Sequence, residues 1–222
     1  MEQQTDTSNE NYLRKKQILD AACREFIRHG KSGTRMQQIA DNAGVNKALV
    51  YYYYHSKDEI FHAVVEQNFK LLIETMSTNV DFSAPLKTIV RQFTHNHIHI
   101  IAENRELFQF FSGEIWMNPE ALINGISEDV QKHTEHLYGA LKKRIEEAAC
   151  EHEIRQIQPL QFLLNVISLD IFYFIAAPIV FSFTGTKPAE QKRIAEEREN
   201  EVFNFVWESI RYHGDESDSE AL

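Results

Sequence analysis

Turn-forming residues are scarce in this chain, and this scarcity constrains the fold more than any other feature of the sequence. The 222 residues include eight glycines and five prolines, whereas an all-β protein needs a turn every ten or so residues. Hydrophobic residues make up 43% and charged residues 25%, which is the balance of a globular protein and not of a disordered chain. The sequence therefore predicts an all-α protein.

Apolar residues recur at three- and four-residue spacing, which predicts amphipathic helices. The first helix is expected over residues 12–29 and the third over residues 47–54. Between them, Thr34 and Gln37 have the spacing of a capping box, so we expect Thr34 to be the N-cap of the second helix. Asn46 is the expected N-cap of the third helix.

Prolines divide the remaining sequence into helices, since proline is tolerated in the first turn of a helix and disruptive later. A long helix is expected to begin at Ser56, with Glu59 completing its capping box. Further helices are expected over residues 85–102, 106–111, 118–152, 159–183 and 188–212. Pro178 lies inside one of these helices and is expected to kink it.

Charge is distributed unevenly along the chain. The formal net charge of −10 taken alone argues against a nucleic-acid partner, because phosphates repel an acidic surface. Residues 12–62, however, contain nine Lys or Arg against five Asp or Glu, a balance of +4, whereas residues 1–11 carry −3 and residues 63–222 carry −11. Such asymmetry is typical of a basic contact module attached to an acidic body.

Cysteine usage and hydropathy favour a reduced, cytoplasmic setting without a membrane. Cys23 and Cys150 lie far apart and match no metal or redox spacing. The first eleven residues lack the apolar core of a signal peptide. The apolar stretch at residues 160–183 is interrupted by polar side chains, and its longest apolar run, 171–181, is shorter than the roughly 20 residues that a bilayer requires. We expect this stretch to be a buried helix.

Two short helices joined by a glycine-containing turn, behind a basic amphipathic helix, are the pattern of a helix-turn-helix DNA-binding unit, here at about residues 35–54. Ala43 is small enough for the two helices to cross closely, and Gly44 permits a left-handed backbone in the turn. Val50 is expected to pack beneath the third helix. Periodicity alone leaves an ordinary helical corner equally open.

A larger set of residues extends this pattern over residues 12–62. Its members are Ile18, Leu19, Ala21, Ala22, Phe26, Gly30, Thr34, Ile39, Ala40, Ala43, Gly44, Val45, Lys47, Tyr51, Ser56, Lys57, Asp58 and Glu59. In this register they resemble the amino-terminal domain of TetR-family transcriptional regulators. Two departures are Tyr54, where a Phe is typical, and Arg35, where Ser or Thr is common.

The resemblance implies a domain organisation. A three-helix helix-turn-helix DNA-binding domain is expected at residues 12–62 and a helical ligand-binding and dimerisation domain at residues 63–213, followed by an acidic tail at 214–222. Beyond residue 62 the chain matches the family in helix count and order. The long helix from Ser56 would link the two domains, so that a small tilt changes the separation of the recognition helices in a dimer.

On this resemblance, DNA contacts are expected at the start of the second helix and along the third. The expected contact residues are Thr34, Arg35, Gln37, Asn46, Lys47, Ala48, Leu49, Tyr51, Tyr52, Tyr53 and Lys57. A cation at a helix start favours phosphate, and lysine can donate to guanine O6 and N7. Part of the tyrosine run is also compatible with a place in the core.

The acidic body is expected, again on the resemblance, to bind a small apolar or aromatic effector and to form a homodimer through its last two long helices. The expected dimer residues are Leu163, Ile167, Ile171, Phe203, Val206 and Ile210. The expected effector-binding residues are Phe93, Phe111, Trp116, Asn165, Asp170 and Tyr173. An intramolecular core would explain the same apolar stripes and is the alternative.

Three potential metal ligands recur at four-residue spacing in His95, His99 and Glu103. Ligands on three successive helical turns span about 12 Å, which is too far for one ion to bind all of them. We therefore favour a solvated helix face and predict neither a metal site nor a cofactor. A metal-responsive regulator that uses His95 and His99 stays an alternative.

The sequence as a whole predicts a transcriptional regulator and not an enzyme. The simplest form is a repressor that binds a palindromic operator in double-stranded DNA as a homodimer and releases it when the effector binds. A nucleophile motif, a phosphate-binding glycine loop and paired carboxylates are all missing from the sequence. A helical protein–protein adaptor would use the same amphipathic stripes and is the other alternative.

Overall fold

The computed structural model contains ten α-helices and no β-strand over the residues that it describes, 2–78 and 80–214, with side chains described from residue 10. The all-α prediction is confirmed. From residue 215 onward, the predicted acidic tail lies outside the described residues. The helices are α1 (Glu2–Gly33), α2 (Met36–Asn42), α3 (Lys47–Tyr53), α4 (Lys57–Ser77), α5 (Leu86–Glu103), α6 (Arg105–Met117), α7 (Pro119–Ile123), α8 (Glu128–Cys150), α9 (Pro159–Thr184) and α10 (Pro188–Ile210).

Local side-chain caps begin α3 and α4 where the sequence predicts them. Asn46 Oδ1 accepts a hydrogen bond from the backbone N–H of Leu49 at 2.8 Å. Ser56 Oγ accepts one from the N–H of Glu59 at 3.0 Å. Each bond satisfies an N–H that the first turn of a helix would otherwise leave without a partner.

The N-cap of α2 is Arg35 and not Thr34, which corrects the prediction. The N–H of Arg35 donates to Gln38 Oε1 at 2.9 Å. The Thr34 hydroxyl is buried and lies 3.0 Å from the carbonyl oxygen of Glu25 and 2.9 Å from that of Gly30. Because the Thr34 hydroxyl donates hydrogen bonds to these carbonyls, it ties the start of α2 back to α1.

The single helix predicted over residues 118–152 is two helices, α7 and α8. A Cβ placed on Gly125 would lie 2.8 Å from Val65 Cβ. The chain between α7 and α8 therefore approaches α4 more closely than a residue with a side chain at position 125 would allow. Ser127 donates through its N–H and its hydroxyl to the two carboxylate oxygens of Glu66, at 2.7 and 2.6 Å. These contacts join residues far apart in the sequence, and helical periodicity carries no sign of them.

The chain divides into two compact units. The first consists of Met1–Leu72 and Asn104–Gln131, and the second of Ile73–Glu103 and Lys132–Leu222. The core of the first unit contains fully buried side chains from α1 to α4, among them Phe26 and Phe61, whose rings meet edge to face with centroids 5.4 Å apart. This core supports the α2–α3 segment.

The core of the second unit is built by α5, α8, α9 and α10. Phe203, Val206 and Ile210 of α10 belong to it and are at most 4% exposed within one chain. These residues were expected at a dimer interface. Their own chain already covers them, and their contact with a second subunit stays a prediction.

Helix α9 is largely exposed, contrary to the buried helix that we expected. Phe162, Val166 and Asp170 face the core of the second unit. The apolar residues that remain exposed are Leu160, Leu164, Phe172, Ile175, Ile179, Val180 and Phe183. Among the described residues, α9 is the one helix whose length and composition match those of a membrane-crossing helix.

Candidate nucleic-acid interface

Helices α2 and α3 are joined by a tight turn at residues 43–46. The N–H of Val45 donates to the carbonyl of Ala40 at 3.0 Å, and the N–H of Gly44 to that of Asp41 at 3.1 Å. Gly44 has φ of 63°, a left-handed conformation that glycine enters without steric cost. Ala43 is buried at the crossing, so the two helices form the helix-turn-helix arrangement that the sequence predicts.

Side chains of α1 hold this turn in place. Gln17 Nε2 donates to the carbonyl oxygen of Ala43 at 2.7 Å. Glu25 is 2% exposed, and its Oε1 accepts a hydrogen bond from Asn42 Nδ2 at 2.8 Å. The sequence analysis did not identify Gln17, Glu25 or Asn42, although Gln17 and Glu25 each adjoin an apolar residue of the inward face of α1. These bonds fix the end of α2 and the start of the turn.

The outer face of α3 is exposed and combines one cation with aromatic hydroxyls. Lys47, Ala48, Tyr51 and Tyr52 are all exposed, and Tyr52 is 71% exposed. Lys47 Nζ lies 5.7 Å from the centre of the Tyr51 ring. An ammonium group and phenol hydroxyls on one helix face are suited to donate hydrogen bonds to phosphates and to base edges.

Three other predicted contact residues on or beside α3 are partly engaged within the protein. Leu49 and Tyr53 are half-buried against the core of the first unit. The Tyr53 hydroxyl also donates to Asn11 Oδ1 at 2.7 Å, while the side-chain oxygen of Asn46 caps α3. These three side chains therefore have less surface and fewer free polar atoms for DNA than the sequence pattern suggested.

At the start of α2, Arg35 is exposed, and so is Gln37, whose amide donates to Asp41 Oδ1 at 2.8 Å. The buried hydroxyl of Thr34 is not available to a phosphate, because it is bonded to α1. The ammonium of Lys57 is held by two carbonyls, 3.2 Å from that of Thr34 and 3.3 Å from that of Ser32. Arg35 is therefore the most accessible cation at this end of the predicted contact surface.

Tyr54, at the end of α3, is a buried exception among the four consecutive tyrosines. It is 2% exposed, and its hydroxyl has no hydrogen-bond partner among the residues that the structure describes. Burial, followed by the charges of Glu59 and Asp20, raises the pKa of Tyr54 to about 12. This residue packs into the core and is not part of the exposed face.

The residues predicted to bind an effector are divided between the two units. Phe111 and Trp116 belong to the first unit, and Trp116 is 86% exposed. Phe93 belongs to the second unit, where it lines a cavity of about 10 Å³, too small for a small-molecule ligand. Phe93 is partly buried and packs against the core of the second unit.

Asp170 and Tyr173 lie in a polar cluster between α5, α9 and α10. Asp170 is fully buried, with Oδ2 2.9 Å from His97 Nδ1. Burial raises the pKa of Asp170, while the hydrogen bond and the charge of His97 lower it by less. The Arg198 guanidinium lies 5.0 Å from the Tyr173 ring centre. Asp170 Oδ1 and Arg198 Nε are buried and have no hydrogen-bond partner among the described residues, and the same holds for Thr94 Oγ1, one turn before His97 on α5.

Asn165 lies apart from that cluster, in an open groove. The groove has a volume of about 590 Å³ and runs between the first half of α9 and the last half of α10. Its walls include Asn165, Phe205 and Ser209. Phe205 is 66% exposed, so an apolar side chain of α10 is open to solvent at this groove.

Comparison with known proteins places the helix-turn-helix segment in a characterised group. Residues 18–64 match the family model described as bacterial regulatory proteins, tetR family. The HTH-type transcriptional regulator RutR of Escherichia coli (strain K12) is 24% identical over 198 residues, which are 89% of this chain and 91% of RutR. The HTH-type transcriptional repressor SCO4008 of Streptomyces coelicolor is 45% identical over 67 residues, 30% of this chain and 34% of SCO4008.

The fold also resembles solved structures along most of the chain. The crystal structure of the transcriptional regulator FadR from Bacillus subtilis, in complex with stearoyl-CoA, superimposes with a TM-score of 0.63 at 17% identity. The superposition covers 86% of this chain and 96% of FadR. At this level of identity the likeness establishes a shared fold and leaves ligand and partner open.

Proposed function

Because the chain is a member of the tetR family of bacterial regulatory proteins, we propose that it is a cytoplasmic repressor that binds a palindromic operator as a homodimer and releases it when a small hydrophobic effector binds. RutR and SCO4008 are both named as HTH-type transcription regulators, and SCO4008 as a repressor. The proposal has three parts, which are DNA contact, dimerisation and release.

The DNA contact rests on one observation, the exposed face of α3 with Lys47, Tyr51 and Tyr52. In a helix-turn-helix protein the second helix enters the major groove and its first residues reach the base edges. Lys47 is the first residue of α3 and would donate to a guanine. The tyrosine hydroxyls and Arg35 would bind phosphates on either side. Phosphate contacts set the register, and base contacts set the sequence preference.

DNA binding is tested with a duplex selected by the protein from a randomised library and with a scrambled duplex of the same composition. Lys47→Ala is expected to weaken binding to the selected duplex by about 1–3 kcal/mol and to relax the preference at one position. Lys192→Ala is the matched control, since Lys192 is an exposed lysine of α10. Unchanged affinity of the Lys47 variant for both duplexes would remove Lys47 from the interface.

Salt dependence separates this proposal from a protein–protein adaptor. A regulator that neutralises phosphates loses affinity steeply as salt rises, because counterions are released on binding. An adaptor has no DNA affinity to lose. A chain that selects no sequence and shows no salt-dependent binding to any duplex would contradict the DNA-binding proposal.

Dimerisation is supported by the exposed apolar surface of α9. Leu164, Phe172, Ile179 and Phe183 are all at least 48% exposed, and a soluble protein seldom leaves such a surface uncovered. A second copy of the same chain would cover it with its own α9 and would fill the groove beside Phe205. Leu163, Ile167 and Ile171, which are half-buried, would lie at the edge of this interface. Two helix-turn-helix units held together in a dimer also bind DNA with an affinity that a single unit lacks.

Sedimentation equilibrium tests the dimer. Phe172→Glu is expected to dissociate it by burying a charge in an apolar interface, and the loss of operator affinity should accompany dissociation. Ile123→Glu is the control, because Ile123 is equally exposed at 62% but belongs to α7. A wild-type chain that is monomeric at micromolar concentration and still binds its operator tightly would refute the dimer.

Effector binding is supported by buried polar atoms of α5 and α10 that have no hydrogen-bond partner among the described residues. Buried polar groups almost always have hydrogen-bond partners, so Thr94 Oγ1 and Arg198 Nε are suited to a polar group of a mostly apolar ligand. FadR of Bacillus subtilis was crystallised with stearoyl-CoA, which makes acyl-CoA thioesters reasonable first probes. Helix α4 begins in the first unit and ends in the second, and it would transmit the change by tilting.

The effector proposal is tested by titrating the operator complex with stearoyl-CoA and with shorter acyl-CoA esters. The expected result is release of DNA by one of them, weakened in Thr94→Val, which keeps the shape of the side chain and removes its hydroxyl. Release that is unchanged in Thr94→Val would exclude this cluster as the effector site.

A further inference from the structure

Three side chains from two helices meet on the surface of the second unit. His95 and His99 lie one turn apart on α5, with ring centroids 4.2 Å apart, and Glu199 comes from α10. Glu199 Oε2 lies 3.0 Å from His95 Nδ1 and 3.3 Å from His99 Nε2. One ligand atom of each residue lies within 4.8 Å of those of the other two.

These distances are those expected between ligands of one small divalent ion. With metal–ligand distances of about 2.0–2.2 Å in tetrahedral geometry, neighbouring ligand atoms lie roughly 3.3 Å apart. Both distances from Glu199 Oε2 already have this size. The side chains therefore need little movement to share an ion.

The chemistry of the three residues also fits a transition metal. Imidazole nitrogen suits Zn²⁺, Ni²⁺ and Cu²⁺, and two histidines with one carboxylate occur in metal sites that keep open positions for water. The side chains of His95 and His99 are 51% and 53% exposed, and that of Glu199 is 26% exposed. A hydrated ion can thus reach the site from solvent.

We propose that His95, His99 and Glu199 bind one Zn²⁺ ion, or a similar divalent transition-metal ion, per chain, and that the ion ties α5 to α10. The third ligand is Glu199 of α10 and not Glu103, which follows the two histidines on α5. Without an ion, the same contacts are surface His–Glu pairs, which contribute little to stability. An ion bound to the folded arrangement alone stabilises the second unit by mass action.

The test uses the untagged full-length chain with zinc sulfate as the probe and a competing chelator to set the free zinc concentration. We expect one zinc ion per chain and a rise of the melting temperature with zinc. His95→Gln, His99→Gln and Glu199→Gln should each weaken the zinc affinity at least about tenfold and reduce that rise. His133→Gln, the same substitution at an exposed histidine of α8, should change neither.

Three results would overturn the proposal. The first is the absence of a zinc-dependent shift in the wild-type chain at high micromolar zinc. The second is a loss of affinity in His133→Gln as large as in His95→Gln. The third is unchanged affinity in Glu199→Gln, which would reduce the site to two histidines on one helix. Circular dichroism of each variant without zinc verifies that the exposed substitutions leave the fold intact, and none of these measurements involves DNA.

Discussion

Removing the Tyr54 hydroxyl is expected to stabilise the protein. Tyr54 is 2% exposed, and its buried hydroxyl oxygen has no hydrogen-bond partner within the described part of the chain. An unsatisfied buried polar group costs about 1–3 kcal/mol. Tyr54→Phe deletes the hydroxyl and keeps the ring, including its contact with the ammonium of Lys15, 5.7 Å from the ring centre. We expect the free energy of unfolding to rise by about 1 kcal/mol.

The alkaline pH dependence gives a second readout of the same residue. The pKa of Tyr54 is raised to about 12 in the folded chain from an ordinary value of 10.0. Between these values the unfolded chain has released the phenol proton while the folded chain holds it. Unfolding is therefore favoured as pH rises, and the stability is lost toward pH 12. Because Tyr54→Phe lacks this proton, its advantage over the wild type should widen above pH 10.

Urea unfolding followed by circular dichroism measures both effects. Tyr52→Phe is the matched control, because the Tyr52 side chain is 71% exposed. Its free energy of unfolding should differ from that of the wild type by no more than about 0.5 kcal/mol. At neutral pH, a Tyr54→Phe variant that is no more stable than the wild type would mean that the hydroxyl has a partner in the folded protein. That result would refute the reasoning.

Three further substitutions have defined outcomes. Gly125→Ala should destabilise the first unit by about 1–3 kcal/mol, since the new Cβ would lie 2.8 Å from Val65 Cβ; an unchanged urea midpoint would contradict this. Asp170→Asn should remove a component of stability that the wild type loses as pH rises from about 3.8, because burial raises the pKa of Asp170 in the folded state; an equal pH dependence of the free energy of unfolding in the two proteins would contradict this. Gln17→Ala should weaken operator binding at unchanged secondary structure, since it frees the carbonyl of Ala43; unchanged operator affinity would show that the turn does not need this bond.

Signals confined to one turn of chain were sufficient to predict the recognition segment. Asn46 caps α3 through a bond to a residue three positions away, and Gly44 has the positive φ that the turn needs. Both depend on neighbours within a few residues, so the amino-acid sequence carries all of the relevant information. For the same reason, the helix start at Lys47 and the exposure of its side chain followed from the pattern.

Contacts between distant segments could not be predicted from the sequence. The Thr34 hydroxyl was expected to cap α2 but bonds to the carbonyl of Glu25 in α1, because a hydroxyl takes whichever acceptor the fold brings near. Similarly, the break between α7 and α8 depends on Gly125 approaching Val65. Periodicity identifies the apolar face of a helix but does not determine which segment of the chain packs against that face.

The sequence by itself determined the helical class, the helix-turn-helix segment and the basic module, because each depends on residue spacing or local charge. The tertiary structure decided which apolar stripe is covered within the chain, burying Phe203 of α10 and leaving Phe172 of α9 exposed. It also brought Glu199 to His95 and His99 across two helices. The physical reason is that helix packing, and not spacing along one helix, sets the distance between side chains of different segments.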